Sequence, residues 1–161
     1  MPNPNDASAR RAGGGFTLVE LLIVIAVLGI LAATAFPTLS EFVRKGRRAG
    51  ARGAIAELLQ QQERFMTQTG SYQRIQTPGM TGTSFKTYTG DSPGSASHLL
   101  AAGPCDIGGA APGGTLQMSQ CVRVRAEPQQ PDPTIGVLWM DSTGQKGCDG
   151  TRRNEARICW P

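Results

Sequence analysis

Hydrophobic and polar positions divide this chain into three unlike stretches. Residues 1–15 are polar and rich in Pro, Asn and Gly, with nothing able to pack. Residues 21–36, LLIVIAVLGILAATAF, hold sixteen positions without a charge. From Phe16 to Ser40 the only charged side chain is Glu20. A helix that is apolar all round must be covered by lipid or by other protein. Further on, Ala51, Ile55, Leu58 or Leu59, Gln62 and Phe65 or Met66 recur at helical spacing. They form one apolar stripe, suited to packing on a sheet. The pattern therefore predicts one long helix from about Phe16 to about Thr67, apolar throughout its first half and amphipathic in its second. Pro37 removes a backbone hydrogen bond and crowds the preceding turn, which predicts a kink or local melting near residues 33–37. Gly29, Gly46, Gly50 and Gly53 are further weak points, and Gly70-Ser71 supplies a stop signal.

After the helix the period changes. Residues 70–96 are rich in Gly, Ser, Thr and Pro without a sustained period, and read as a long surface loop of the kind that often carries function. Cys121-Val122-Arg123-Val124-Arg125-Ala126 alternates strictly, valines on one face and arginines on the other, as a half-buried strand does. Gly136-Val137-Leu138-Trp139-Met140 is a second strand-like run, and Asp141-Ser142-Thr143-Gly144 has turn chemistry. Residues 97–102 suggest an earlier strand and residues 156–160, ARICW, a short final one. The fold class is α+β: a long, Pro-kinked N-terminal helix on a small antiparallel sheet. Four segments follow: a leader at 1–15, a membrane or filament-core helix half at 16–40, an amphipathic half at 41–69 packing on the head, and a head at 70–161.

Composition sharpens the head. The four cysteines, Cys105, Cys121, Cys148 and Cys159, all lie there. An even count in a small domain suggests two disulfides and an oxidising compartment. Gaps of 15, 26 and 10 residues offer no close ligand pair for zinc. Three connectivities are open, and pairing of sequence neighbours, Cys105 with Cys121 and Cys148 with Cys159, is the simplest. Residues 17–36 span about 30 Å as a helix, which matches the hydrocarbon thickness. A secretory signal peptide is the alternative, with Ala32-Ala33-Thr34-Ala35 imitating a cleavage site. The helical pattern, however, continues for another thirty residues. Arg10 and Arg11 precede the run and Arg44, Lys45, Arg47, Arg48 and Arg52 follow it. The positive-inside count would place the C-terminal side in the cytoplasm. The cysteines place it outside, and the cysteines are followed.

Catalytic content is thin. The chain has one histidine, His98, in a polar segment that reads as surface. Gly108-Gly109 and Gly113-Gly114 lack the Lys and the strand-helix context of a phosphate cradle. Asp132, Asp141 and Asp149 are too scattered for a calcium loop. No enzyme activity, metal or cofactor is expected. The net charge is +4 overall and +3 once residues 1–15 are removed, with 14 basic and 11 acidic side chains. Arg123 and Arg125 on one strand face, with Arg152 and Arg153, are candidate phosphate contacts; the competing reading is a solvated strand face.

The order basic leader, Gly15, Phe16, then Glu20 as the fifth residue resembles the start of type IV prepilins and pseudopilins. Gln62-Glu63-Arg64-Phe65-Met66 with Gly70-Ser71-Tyr72 resembles the helix end of the PilE-like branch of type IV pilins. Residues 126–132, AEPQQPD, then Gly136-Val137-Leu138-Trp139-Met140-Asp141, Gly144-Gln145-Lys146 and Cys159-Trp160 resemble that branch's sheet and turn. The likeness covers roughly residues 13–72 and 121–161. One departure stands at Ile135, where the family often has a cysteine bonded to the C-terminal one; Cys148 is the substitute partner for Cys159.

The resemblance implies a minor pilin: a filament subunit, not an enzyme. It implies cleavage between Gly15 and Phe16 by a membrane prepilin peptidase, and methylation of the new amino group on Phe16. Glu20 would pair with the charged N-terminus of a neighbouring subunit and set assembly register; the competing reading is a protonated, lipid-exposed Glu20. The implied partners are other pilins in a helical filament, the peptidase and the inner-membrane assembly machinery. The implied location is the inner membrane with the head in the periplasm, then an extracellular pilus. Two other readings share the N-terminal motif: a DNA-binding minor pilin for natural transformation, and a type II secretion pseudopilin.

Overall fold

A computed structural model describes residues 16–106 and 116–161. The leader, with Gly15, lies outside the described residues. Helix α1 runs from Leu18 to Thr69. Its start is fixed by Thr17, whose hydroxyl accepts the Glu20 backbone N–H at 3.2 Å; a threonine in that position satisfies one of the free donors of a first turn. Its end is fixed by Gly70, at φ 77°, whose N–H bonds the Met66 carbonyl at 2.8 Å. Glycine reaches that left-handed conformation without the Cβ penalty.

The helix is continuous through residues 33–37, so the melting anticipated at Pro37 does not occur. A proline deletes one helical bond, and Leu31, Ala32, Ala33 and Ala35 before it are strong helix formers that hold the turn. The chain divides into two compact units, residues 1–41 and residues 42–161, each described by itself.

In the second unit four strands form one sheet in the order β1-β2-β3-β4: β1 His98–Pro104, β2 Val122–Pro128, β3 Leu138–Asp141 and β4 Lys146–Cys148. All neighbours are antiparallel, with Ala102 opposite Val124, Val124 opposite Met140 and Leu138 opposite Cys148. That register places Leu100, Ala102, Val122, Val124, Ala126 and Leu138 on one buried face. Ala51, Ile55, Leu58 and Leu59 of α1 join them in a single core, which is the stripe predicted from helical spacing. Arg125 and Glu127 occupy the opposite, exposed face of β2.

The long segment after α1 is more structured than its composition suggests. Ile75 and Tyr88 bridge to Ala102 and Leu99 along the outer edge of β1. Ile75 exchanges both backbone bonds with Ala102 at 2.8 and 3.0 Å, Gly79 donates to Leu100, and Leu100 donates to Thr87 at 2.7 Å. Ile75, Thr87 and Thr89 are buried. A turn of 3-10 helix at Pro93–Ser95 then leads into β1.

Two elements differ from expectation. The three-residue β4 has no alternating apolar pattern and escaped the sequence reading. Its Gly147 is required by packing: a Cβ there would lie 2.6 Å from Cζ2 of Trp139. The ARICW segment is a helical turn, α2 (Ala156–Cys159), and not a strand. Of its residues only Cys159 is buried, and the Trp160 indole N–H donates to the Gly147 carbonyl at 3.1 Å, which holds the turn beside β4 without a ladder.

Candidate functional site

From Phe16 to Phe36 every side chain is exposed, Phe16 at 82%, Leu18 at 80% and Phe36 at 70%. The helix is long and apolar enough to cross a membrane. Exposed apolar surface on this scale marks a membrane or protein contact. Glu20 stands in the first turn, three residues after the Thr17 cap. There the positive end of the helix dipole favours a carboxylate, so the pattern Thr17-x-x-Glu20 also serves helix initiation.

The basic stripe after the apolar run is largely folded into the head. Arg48, 7% exposed, makes a two-pronged ion pair with Asp132, Nε to Oδ2 at 2.6 Å and Nη2 to Oδ1 at 2.8 Å. Hydrogen bonds from Arg48, outweighing partial burial, hold the Asp132 carboxyl below its ordinary range. Arg47 donates to Oε1 of Gln130. Arg52 donates Nε to the Cys159 carbonyl at 2.9 Å, and burial followed by the nearby Arg48 charge lowers its pKa. Three arginines of one helix therefore hold the β2–β3 loop and the C-terminus. The sequence shows these arginines but not their partners, which lie more than eighty residues away for Arg47 and Arg48.

The cysteines form two bonds, Cys105–Cys121 and Cys148–Cys159. The first bond lies beside Asp141, but sulfurs in a disulfide are not thiolate ligands, and one carboxylate alone makes no metal site. Asp141 Oδ1 is instead taken by the Thr143 N–H and hydroxyl and the Gln145 N–H at 2.7–3.2 Å, which closes the β3–β4 turn.

The four candidate phosphate contacts divide. Arg123 is committed: Nη1 bonds Asp106 at 2.8 Å, Nη2 approaches Asp141 at 3.5 Å, and its guanidinium stacks 4.2 Å from the Trp139 ring. Arg152 is paired with Glu155. Arg125 and Arg153 are exposed. Arg74, Arg125, Asp106 and Glu127 are among the residues that line one open trough along β1 and β2. Arg74 was missed because it sits alone in an aperiodic stretch. His98, expected at the surface, is 4% exposed; it opens the inner face of β1.

Comparison with known proteins agrees with this architecture. Residues 10–36 match the prokaryotic N-terminal methylation motif. Residues 37–99 match the family described as type IV minor pilin ComP, DNA uptake sequence receptor. The type IV major pilin protein PilA of Myxococcus xanthus is 38% identical over 58 residues, 36% of this chain and 26% of that protein. The type IV major alpha-pilin of Moraxella bovis is 48% identical over 42 residues, 26% of each. The type IV major fimbrial protein FimA of Dichelobacter nodosus is 43% identical over 56 residues, 30% of this chain and 35% of FimA. The matched part spans about a quarter to a third of each relative's length. No solved structure matches. A long apolar-to-amphipathic helix on a four-stranded antiparallel sheet is a pilin-like architecture, and residues 10–99 are similar to segments of type IV pilins.

Proposed function

We propose that this chain is a minor subunit of a type IV pilus, a structural protein and not an enzyme. The observation that carries the reading is the exposed apolar helix with Glu20 five residues into the segment that starts at Phe16. In this reading a prepilin peptidase cleaves between Gly15 and Phe16, and Phe16 is N-methylated. The helix first anchors the subunit in the inner membrane, with the disulfide-braced head in the periplasm. The assembly machinery then moves it into the filament core. There Glu20 meets the charged amino group of a neighbouring Phe16. A buried carboxylate needs such a partner, and a mismatched neighbour would leave both charges desolvated and unpaired, which gives register. A continuous helix through Pro37 is compatible with a bend in the assembled state.

Glu20→Val should leave membrane insertion and the mature N-terminus at Phe16 unchanged and reduce incorporation into sheared filaments by at least about tenfold, the effect of roughly 1.4 kcal/mol. Quantitative immunoblotting of pili against membranes, with mass spectrometry of the N-terminus, measures both. Normal incorporation would contradict the assembly role of Glu20.

A second reading, DNA capture, is favoured by the match of residues 37–99 to a family described as a DNA uptake sequence receptor. Arg74 and Arg125 at the trough are the side chains best placed for phosphate, together with exposed Arg153; Arg123 and Arg152 are committed to carboxylates. Full-length protein in detergent should then bind duplex DNA with a steep salt dependence. Each phosphate-contacting arginine replaced by alanine should lower the log–log slope by about one. Absence of binding at low salt removes this reading and leaves the structural one intact.

A further inference from the structure

His98 is the chain's one histidine, and it is buried where three parts of the head meet. Its Nδ1 lies 3.1 Å from the Ser97 hydroxyl, which lies 3.1 Å from the Thr89 hydroxyl. Thr89 Oγ1 already accepts the backbone N–H groups of Ser97 and His98 at 3.0 and 2.9 Å, and its own proton is aimed at the His98 carbonyl at 3.2 Å. The Ser97 hydroxyl can therefore give its proton to Nδ1 of a neutral imidazole, and must turn to accept from Nδ1 once the ring is charged.

The charged groups that face His98 are Asp132 from the β2–β3 loop and Arg47 and Arg48 from α1. Pro128 opposes it on β2, and Thr89 closes the other side. These are the same groups that hold the loop on the helix: Arg48 on Asp132 and Arg47 on Gln130. Gln129 N–H adds a bond to the Ser97 carbonyl at 2.9 Å. The loop in turn carries its neighbour. Residues 149–152 donate to the carbonyls of Val137, Ile135, Pro133 and Thr134 at 2.8–3.2 Å.

We propose that His98 is an acid-sensitive latch: protonating its imidazole releases residues 129–135 from α1 and, with them, the paired residues 149–152 of the C-terminal disulfide loop. The added proton reverses the Ser97–Nδ1 hydrogen bond and adds a positive charge to a cluster that already holds Arg47 and Arg48. Asp132 is then drawn to a further cation besides Arg48, which weakens the two-pronged pair.

The direction of the titration agrees. Burial pushes the His98 pKa down; Asp132 opposes that shift, and Arg47 and Arg48 add to it. An imidazole with a folded value below its ordinary 6.5 binds fewer protons folded than open. The closed state is therefore fully favoured above about pH 6.5 and weakens as the pH falls toward the folded value. Asp132 titrates below that window, since its own value lies under the ordinary 3.8.

The test is hydrogen–deuterium exchange on the full-length protein in detergent at about pH 7.5 and 5.5, corrected for intrinsic exchange. The latch predicts that protection of the Ile135-bonded and Val137-bonded amides of Gly150 and Asp149 falls about tenfold at the lower pH. Val124 and Ala126 in β2 should keep theirs, and His98→Gln should abolish the difference. No loss of protection in the native protein, an equal loss in His98→Gln, or a uniform loss across β2 each overturns the proposal. If His98→Gln does not fold, the native protein decides. The loss of protection must then share the midpoint of the His98 Cε1 proton shift measured by NMR, and a different midpoint overturns it.

Discussion

Asp132→Ala lowers the stability of the head by about 3 kcal/mol, the loss of two hydrogen bonds to a charged group. Arg48 and Asp132 are both near-buried, with side chains 8% and 10% exposed, so solvent cannot take over the lost partner. The same pair gives the head a defined acid limb. The Asp132 carboxyl is held below 3.8 by Arg48. A depressed carboxyl contributes stability that is complete above its unfolded value and is lost as the pH falls through its folded value. Thermal melts of full-length protein in detergent at about pH 6 and stepwise toward pH 2 should show this loss. Asp132→Asn should flatten the profile below about pH 4. Retention of the native profile by the variant would show that the pair is not what acid breaks.

Gly150→Val prevents the head from reaching its native packing and costs about 3 kcal/mol or more. A Cβ at Gly150 would overlap Thr134 O and the Ile135 carbonyl carbon. These are backbone atoms, unable to swing aside as a side chain does, and they belong to the segment that accepts the Gly150 N–H at 2.8 Å. Gly136, at φ 62°, abuts Gly150 from the other side. Gly53→Ala is the contrasting case. Its Cβ would meet nothing within 4 Å, it lies within α1, and the exchange should stabilise by up to about 1 kcal/mol. Circular dichroism melts of the two variants beside the native protein measure both signs. Equal melting of Gly150→Val and native protein would refute the close approach.

The sequence made the helix legible because its signals are local. Ala51, Ile55 and Leu58 repeat at one period, and Gly70 marks the stop. The Val122 to Ala126 alternation located β2 for the same reason. The misses arise where tertiary contacts decide. Cys159 and Trp160 are drawn to β4 by a disulfide and an indole hydrogen bond, and the residues before them wind into a turn despite an alternating pattern. His98 sits among polar neighbours in sequence and becomes buried because it begins the inner face of β1. At the candidate site, Glu20 stands out as the one charge between Phe16 and Ser40, while the roles proposed for Phe16 and Glu20 come from the family resemblance. The assignment of Arg123 to Asp106 and Asp141 was not legible, since a strand arginine has the same appearance whether it meets water or a carboxylate.

If the proposed pilus role holds, a subunit that polymerises through its helix must not also polymerise through its sheet. Unpaired strand edges are templates for amyloid-like growth. Here the β1 edge is occupied by residues 75–79 and 87–89, and the short β4 edge has its Gly147 carbonyl taken by Trp160. The head thus withholds strand addition as a route of association at the high local concentration a filament imposes. On the proposed reading, growth is left to the apolar helix, where Glu20 would check register.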